Sequence, residues 1–269
     1  MAEKCDKKVV LITGGAMGQG RTHAVELAKR GYNCVLLDLQ ETTDERFQET
    51  VRLVEEAGGE AMAIKCNICS TEEMEAAFAK AWDAYGRLDV VIANAGILNF
   101  GYTWELEDSK VKAALAVNLE GTWRTDKYAA LYMRKQGYGR IINISSVSGL
   151  KGTEQLATYC MTKFGIIGLT KTLALELRNS GLPIYCNVVC PTKVRTPMCE
   201  TDTYVDFVNT TMGKNFANWQ EMFDDEKNPG GVKFLNPEDV TDMVVWLAES
   251  HEATLFTGRE IVVDKGAML

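Results

Sequence analysis

Tyr159 and Lys163 stand four residues apart in the run Thr158-Tyr159-Cys160-Met161-Thr162-Lys163. On a helix that spacing puts a phenol and an ammonium on one face. A phenol with its ordinary pKa near ~10 is a poor proton carrier at neutral pH. A neighbouring cation favours the phenolate and brings it toward the working range, as general acid–base chemistry requires. Ser146 lies 13 residues before the tyrosine and supplies a hydroxyl donor. Negative charge developing on a substrate oxygen needs preplaced donors of this kind.

A second constellation lies near the start of the chain. Thr13-Gly14-Gly15-Ala16-Met17-Gly18-Gln19-Gly20 follows the apolar run Val9-Val10-Leu11-Ile12 and opens a helical pattern. Gly14, Gly18 and Gly20 permit a tight turn and close backbone approach, while the helix start offers free amides to a pyrophosphate. The spacing is Gly-x-x-x-Gly-x-Gly, not the common Gly-x-Gly-x-x-Gly fingerprint. Asp38 closes the second apolar run, where a carboxylate accepts from both adenosine ribose hydroxyls and repels a 2'-phosphate. NAD is therefore expected over NADP. Arg21, just past the glycine loop, would weaken that preference unless it is a solvated helix-start residue, as expected here. Met17 and Leu39 complete the expected cofactor wall. Asn67-Ile68 would flank the adenine, and Asn94-Ala95-Gly96 would support the adenosine ribose.

These residues need a scaffold that brings them to one edge. Seven short apolar runs read as buried strands: residues 9–12, 34–37, 61–64, 90–93, 141–144, 185–189 and 260–263. Amphipathic stretches at 21–30, 44–57, 71–85, 110–135, 159–178 and 237–249 read as helices between them. The alternation predicts an α/β fold: a Rossmann-like, doubly wound, seven-stranded parallel sheet with helices on both faces. No linker or internal repeat divides the chain, so residues 1–269 are expected to form one domain. The alternation breaks once, over residues 197–235. That stretch carries Tyr204, Phe207, Met212, Phe216, Trp219, Met222 and Phe223. Its place after the sixth strand predicts a helical lid over a substrate.

Composition narrows the functional classes. With 46% apolar and 25% charged residues the chain is an ordinary globular one. A net charge of -8 argues against nucleic-acid and anionic-membrane surfaces. No apolar run reaches the roughly 18 residues of a membrane span. The stretch Met1-Ala2-Glu3-Lys4-Cys5-Asp6 fits no signal peptide, so a cytoplasmic location is expected and the eight cysteines should be reduced. Cys66 and Cys69 have metal-ligand spacing, but a lone pair beside only two histidines is too few ligands for a structural zinc. No metal is expected. Cys34, Cys186 and Cys190 read as small core residues.

Taken together, Thr13 to Gly20, Asp38, Asn94-Ala95-Gly96, Asn118, Ser146, Tyr159-x-x-x-Lys163 and Pro191-Thr192-Lys193-Val194-Arg195-Thr196 resemble the short-chain dehydrogenase/reductase family over essentially the whole chain. The resemblance implies that Tyr159 is the general acid–base and that Lys163 holds the nicotinamide ribose and tunes the phenol. It implies that Ser146, rather than Ser145, bonds the substrate oxygen and that Asn118 holds a relay water. Thr196 and the Val194 backbone would bind the carboxamide. Thr192 and Asn67 depart from the family's frequent glycine and aspartate.

The run Gly18-Gln19-Gly20-Arg21-Thr22-His23-Ala24, with Thr196-Pro197-Met198, is similar to the carveol-dehydrogenase-type branch. This chain lacks the extra segment that members of that branch often carry after the second strand. The resemblance and the apolar lid imply a bulky alicyclic secondary alcohol or ketone as partner, foremost a hydroxysteroid of bile-acid type. Trp104 is a further candidate for that pocket. Terpene alcohol dehydrogenase, 3-oxoacyl carrier-protein reductase and a non-catalytic dinucleotide sensor are the alternatives. The family resemblance also implies a homotetramer.

Overall fold

Seven strands align in one parallel sheet at the positions the apolar runs predict. They are β1 (Val9–Thr13), β2 (Asn33–Asp38), β3 (Ala61–Lys65), β4 (Val90–Ala93), β5 (Gly139–Ile144), β6 (Ile184–Pro191) and β7 (Glu260–Val263). Their spatial order is β3-β2-β1-β4-β5-β6-β7, and every neighbouring pair is parallel. The computed structural model describes residues 5–269. The start of the chain, on which the expected lack of an export signal rests, lies in part outside them. Among the described residues no helix is long and apolar enough to cross a membrane.

Nine α-helices surround the sheet: α1 (Gly18–Ala28), α2 (Glu45–Glu56), α3 (Thr71–Tyr85), α4 (Asp108–Ala114), α5 (Gly121–Gln136), α6 (Ala157–Asn179), α7 (Asp202–Met212), α8 (Trp219–Asp224) and α9 (Pro237–Glu249) among the described residues. Alternation along β1 shows why the sheet needs both layers. Val10 and Ile12 pack with Ala24, Leu27, Phe47 and Val244 on one face. Val9 and Leu11 pack with Phe78, Ala129, Met133 and Leu177 on the other. All four strand residues are fully buried, each contributing about 1.5–3 kcal/mol relative to exposure. Local signals start the helices. The Asp44 side chain accepts from the Arg46 amide, and Ser70 Oγ accepts from the Glu73 amide. Asn236 and Asp239 close a capping box ahead of α9.

Two strands differ from expectation. β3 is half-buried rather than buried, and β7 alternates between exposed and half-buried residues. Both lie at sheet edges, where one side has no covering strand. The helix expected over 110–135 also departs from a plain α-helix. It runs from Asp108 to Gln136 but widens into a π-helical segment at Leu115–Glu120. Asn118 sits in that widened turn. Its Oδ1 accepts from the Ile97 amide at 2.7 Å and its Nδ2 donates to the Ile97 carbonyl at 2.9 Å. Widened turns of this kind often mark functional positions.

Residues 197–235 form a packed unit of α7, α8 and two short 3-10 turns. Tyr204, Phe207, Val208, Met222, Phe223 and Phe234 make its core. Arg195 pins it from below, donating to the Phe223 carbonyl and to Glu226 while its guanidinium lies 5.0 Å from the Phe223 ring centre. The unit returns to the loop after β6 through an isolated bridge between Val194 and Leu235.

Candidate active site

In a parallel sheet of this order, crossovers diverge between β1 and β4, and ligands bind beyond the carboxyl ends of those strands. A cavity of about 1480 Å³ opens there. It exceeds the roughly 300–1,000 Å³ of common ligand pockets and has room for a dinucleotide and a second molecule. Gly14, Met17, Gly18, Asp38, Leu39, Asn67, Ile68, Asn94, Ser146, Tyr159, Lys163, Val194 and Thr196 all line it. Gly20 and Asn118 lie behind its wall.

The dinucleotide end is built from backbone. Gly18 adopts φ +57 at the start of α1, a left-handed conformation that favours glycine. A Cβ on Gly20 would collide with the Gly14 carbonyl, so Gly20 lets the helix close on the loop. The N-cap Met17 offers no side-chain acceptor, and no acidic residue occupies the first turn of α1. The helix amides are left for an anion. These features fit a pyrophosphate.

Asp38 is held by two backbone amides, with Oδ2 accepting from Ala16 at 3.0 Å and Oδ1 from Gln40 at 3.2 Å. Arg21 is neither solvated nor aimed at the ribose position. It donates to Thr50 Oγ1 and to the carbonyls of Ala16 and Arg46, so its charge is committed to bracing the glycine loop against α2. Asn94 Nδ2 donates to the carbonyls of Thr13 and Gly14, tying the end of β4 to the loop. Asn67 Oδ1 accepts from the Cys69 amide and fixes the turn before α3. Cys66 points into the core toward the Met74 sulfur, and all eight cysteines are free.

At the centre of the cavity, β5 delivers Ser145 and Ser146 and α6 delivers Tyr159 and Lys163. Ser145 Oγ donates to the Lys163 carbonyl at 2.8 Å, clamping the helix. Ser146 Oγ instead accepts from the Ser148 amide at 3.1 Å and lies near enough to the Tyr159 hydroxyl to favour its charged form. The two adjacent serines thus face different tasks because a strand alternates its side chains. Lys163 is buried, with Nζ donating to the Ile144 carbonyl at 2.8 Å. No carboxylate pairs with it among the described residues. Its Nζ lies 5.3 Å from the centre of the Tyr159 ring.

The electrostatics depart from the simple expectation of a phenol lowered by its lysine. Burial pushes the Tyr159 hydroxyl above its ordinary value, and the nearby Ser146 side chain only partly opposes this. Burial also pushes Lys163 down to about 8. Desolvation penalises each charged form and is the largest influence on both groups.

The outer end is apolar. Leu98, Phe100, Leu156, Met198, Tyr204 and Phe207 line it with Met212. Of the aromatic residues expected in the lid, Phe216, Trp219 and Phe223 instead pack within the lid's own cluster. Trp104 is 80% exposed and stacks on Tyr102 with centroids 5.0 Å apart, outside the cavity wall. Leu98 and Phe100 went unrecognised in the sequence. The apolar run directly after β4 was the available signal.

Known proteins agree with this architecture. Residues 8–204 match the short chain dehydrogenase family. An uncharacterized NAD-dependent oxidoreductase of Mycobacterium tuberculosis is 36% identical over 97% of this chain and 96% of its own. A 3beta-hydroxysteroid dehydrogenase of Mediterraneibacter gnavus is 33% identical over 97% and 95%. The crystal structure of carveol dehydrogenase from Mycobacterium avium in complex with NAD superposes with a TM-score of 0.87, at 28% identity over 97% of each chain. Sequence, sheet order and whole-length similarity converge: the chain belongs to the short-chain dehydrogenase family, enzymes that interconvert alcohols and ketones.

Proposed function

We propose that this enzyme oxidises a secondary hydroxyl, and reduces the matching ketone, on a bulky alicyclic substrate, foremost a hydroxysteroid of bile-acid type. The observation that carries the reading is the convergence of Ser146, Tyr159 and Lys163 between a dinucleotide cradle and an apolar chamber in one cavity. NAD is the cofactor, and when bound it supplies the hydride acceptor or donor. The chain's own residues do the rest. The amides at the start of α1 hold the pyrophosphate, and Asp38 the adenosine ribose. Lys163 has donors to spare beyond its bond to Ile144 and holds the second ribose. Thr196 and the Val194 backbone orient the carboxamide. During oxidation Ser146 donates a hydrogen bond to the substrate oxygen, and Tyr159 accepts the hydroxyl proton. Asn118, whose side chain is committed to Ile97, serves a relay through its backbone carbonyl. Residues 197–235 act as the substrate lid through Tyr204, Phe207 and Met212.

Similarity to the 3beta-hydroxysteroid dehydrogenase supports the steroid reading. Similarity to carveol dehydrogenase supports a monocyclic terpene alcohol as the second reading. A panel of hydroxysteroids and terpene alcohols, followed by NADH absorbance, separates them. Hydroxysteroids are expected to give kcat/KM at least about tenfold above carveol. The reverse order would transfer the assignment to terpene alcohols.

The surface supports a homotetramer, again as a proposal. Trp123 and Leu131 on α5 and Met161, Phe164 and Leu175 on α6 are exposed. A second apolar region surrounds β7, with Leu255, Phe256, Val262 and Leu269 exposed. Two separate apolar patches, each pairing with its own copy, are what a closed tetramer with dihedral symmetry uses. Sedimentation is expected to give four times the chain mass of 29.8 kDa; a monomer at micromolar concentration would rule this out. The free cysteines suit the reducing cytoplasm we assign as its location.

A further inference from the structure

The cavity wall holds a cation that nothing among the described residues neutralises. Lys193, on the loop after β6, is half-buried in the cavity wall. Its ammonium has neither a hydrogen bond nor an ion pair among the described residues. Other half-buried cations of this chain are satisfied. Arg87 pairs with Asp89, Lys214 with Asp225 and Arg195 with Glu226. Arg140 donates to the carbonyls of Leu247 and Ser250.

Its surroundings deepen the anomaly. Lys151, from the segment following β5, is close enough to repel Lys193, and both it and burial push the Lys193 ammonium below its ordinary value. Lys151 itself donates only to the neutral Ala267 carbonyl. Lys233, at the lid's return, also lines the cavity and donates only to the Glu226 carbonyl. The acidic residues of the cavity wall are elsewhere engaged. Asp38 is bound to amides at the adenosine end, and Glu154 accepts from the Tyr102 hydroxyl. The whole chain carries 37 acidic against 29 basic residues, yet Lys151, Lys193 and Lys233 all line this cavity. The pyrophosphate cradle at α1 and the ribose-facing Lys163 already account for the charges of a dinucleotide. Lys193 and Lys151 therefore remain for the second molecule.

We propose that Lys193, supported by Lys151, forms an anion subsite for a carboxylate or sulfonate on the substrate. The inference rests on the alicyclic-substrate reading and narrows it to acids. Leu156, Tyr204 and Phe207 cover the apolar body while the lysines hold the charged end. A partly desolvated cation with its partner missing gains more from an arriving anion than a solvated one does.

Calorimetry on the NADH-loaded enzyme tests this without requiring turnover. Cholate and taurocholate are expected to bind at least about tenfold more tightly than methyl cholate, and added salt should narrow the gap. In Lys193→Met and Lys193→Gln the preference for acid over ester should collapse about tenfold. If the native enzyme binds acid and ester alike, or the preference survives in the Lys193→Met Lys151→Met double variant, the subsite is wrong. If the preference behaves as expected but no steroid hydroxyl is oxidised, the subsite stands and the hydroxysteroid reading falls.

Discussion

Replacing Tyr159 with Phe is expected to lower kcat for alcohol oxidation by about 10³-fold, within the ordinary range for a lost general base. The protein should otherwise be little changed. Ser146 is the polar group beside the hydroxyl, so losing the hydroxyl should cost no more than about 1 kcal/mol of stability. Lys163 keeps its bond to the Ile144 carbonyl, and NADH affinity measured by fluorescence should stay within about twofold. Retention of more than a tenth of native turnover on a confirmed substrate would remove Tyr159 from the proton transfer and leave the sensor alternative in place. The same group sets the pH dependence. Oxidation needs the phenolate, and burial raises the hydroxyl above its ordinary value. The oxidation rate should therefore rise from neutral to alkaline pH, while ketone reduction, which needs the phenol, should be favoured at lower pH. A flat oxidation profile between about pH 7 and 10 would contradict this.

Asp38 should control the choice between cofactors. Asp38→Asn removes the charge but leaves an oxygen to accept from the Ala16 amide, the bond now made by Oδ2 at 3.0 Å. Asp38→Ala removes both. In each variant the ratio of kcat/KM for NAD over NADP is expected to fall by about 100-fold, because juxtaposed like charges cost several kcal/mol. Arg46 lines the same end of the cavity, where it is held by Asp44 and Gln40. Its charge would then act on a 2'-phosphate without Asp38 opposing it. Only the alanine variant should also loosen the glycine loop, seen as weaker binding of both cofactors. An unchanged ratio in Asp38→Asn would show that selectivity comes from elsewhere.

Much of the scaffold is written locally. A buried parallel strand must be an apolar run, and a covering helix must be amphipathic, so residues 9–12 and 71–85 announce themselves. The edge positions of β3 and β7 are not legible this way, because edge and centre differ by neighbours rather than by composition. Proton-transfer candidates were legible because Tyr159 and Lys163 share one helix, whose pitch fixes their relation. Their electrostatics were not. Charge attraction can be read from spacing, whereas the burial that raises Tyr159 and lowers Lys163 depends on the surrounding fold.

The sequence by itself determined the alternating strands and helices, the glycine loop with its acidic partner at Asp38, and the Ser146, Tyr159 and Lys163 set. These follow from short-range spacing, which periodic backbone geometry converts directly into position. Tertiary structure alone decided that Arg21 braces the loop, that Trp104 faces solvent, and that Phe216, Trp219 and Phe223 pack within the lid. It alone left Lys193 beside Lys151 without a counter-charge. Each of those outcomes depends on which distant segments meet, and contacts between segments far apart in the chain have no local periodicity to betray them.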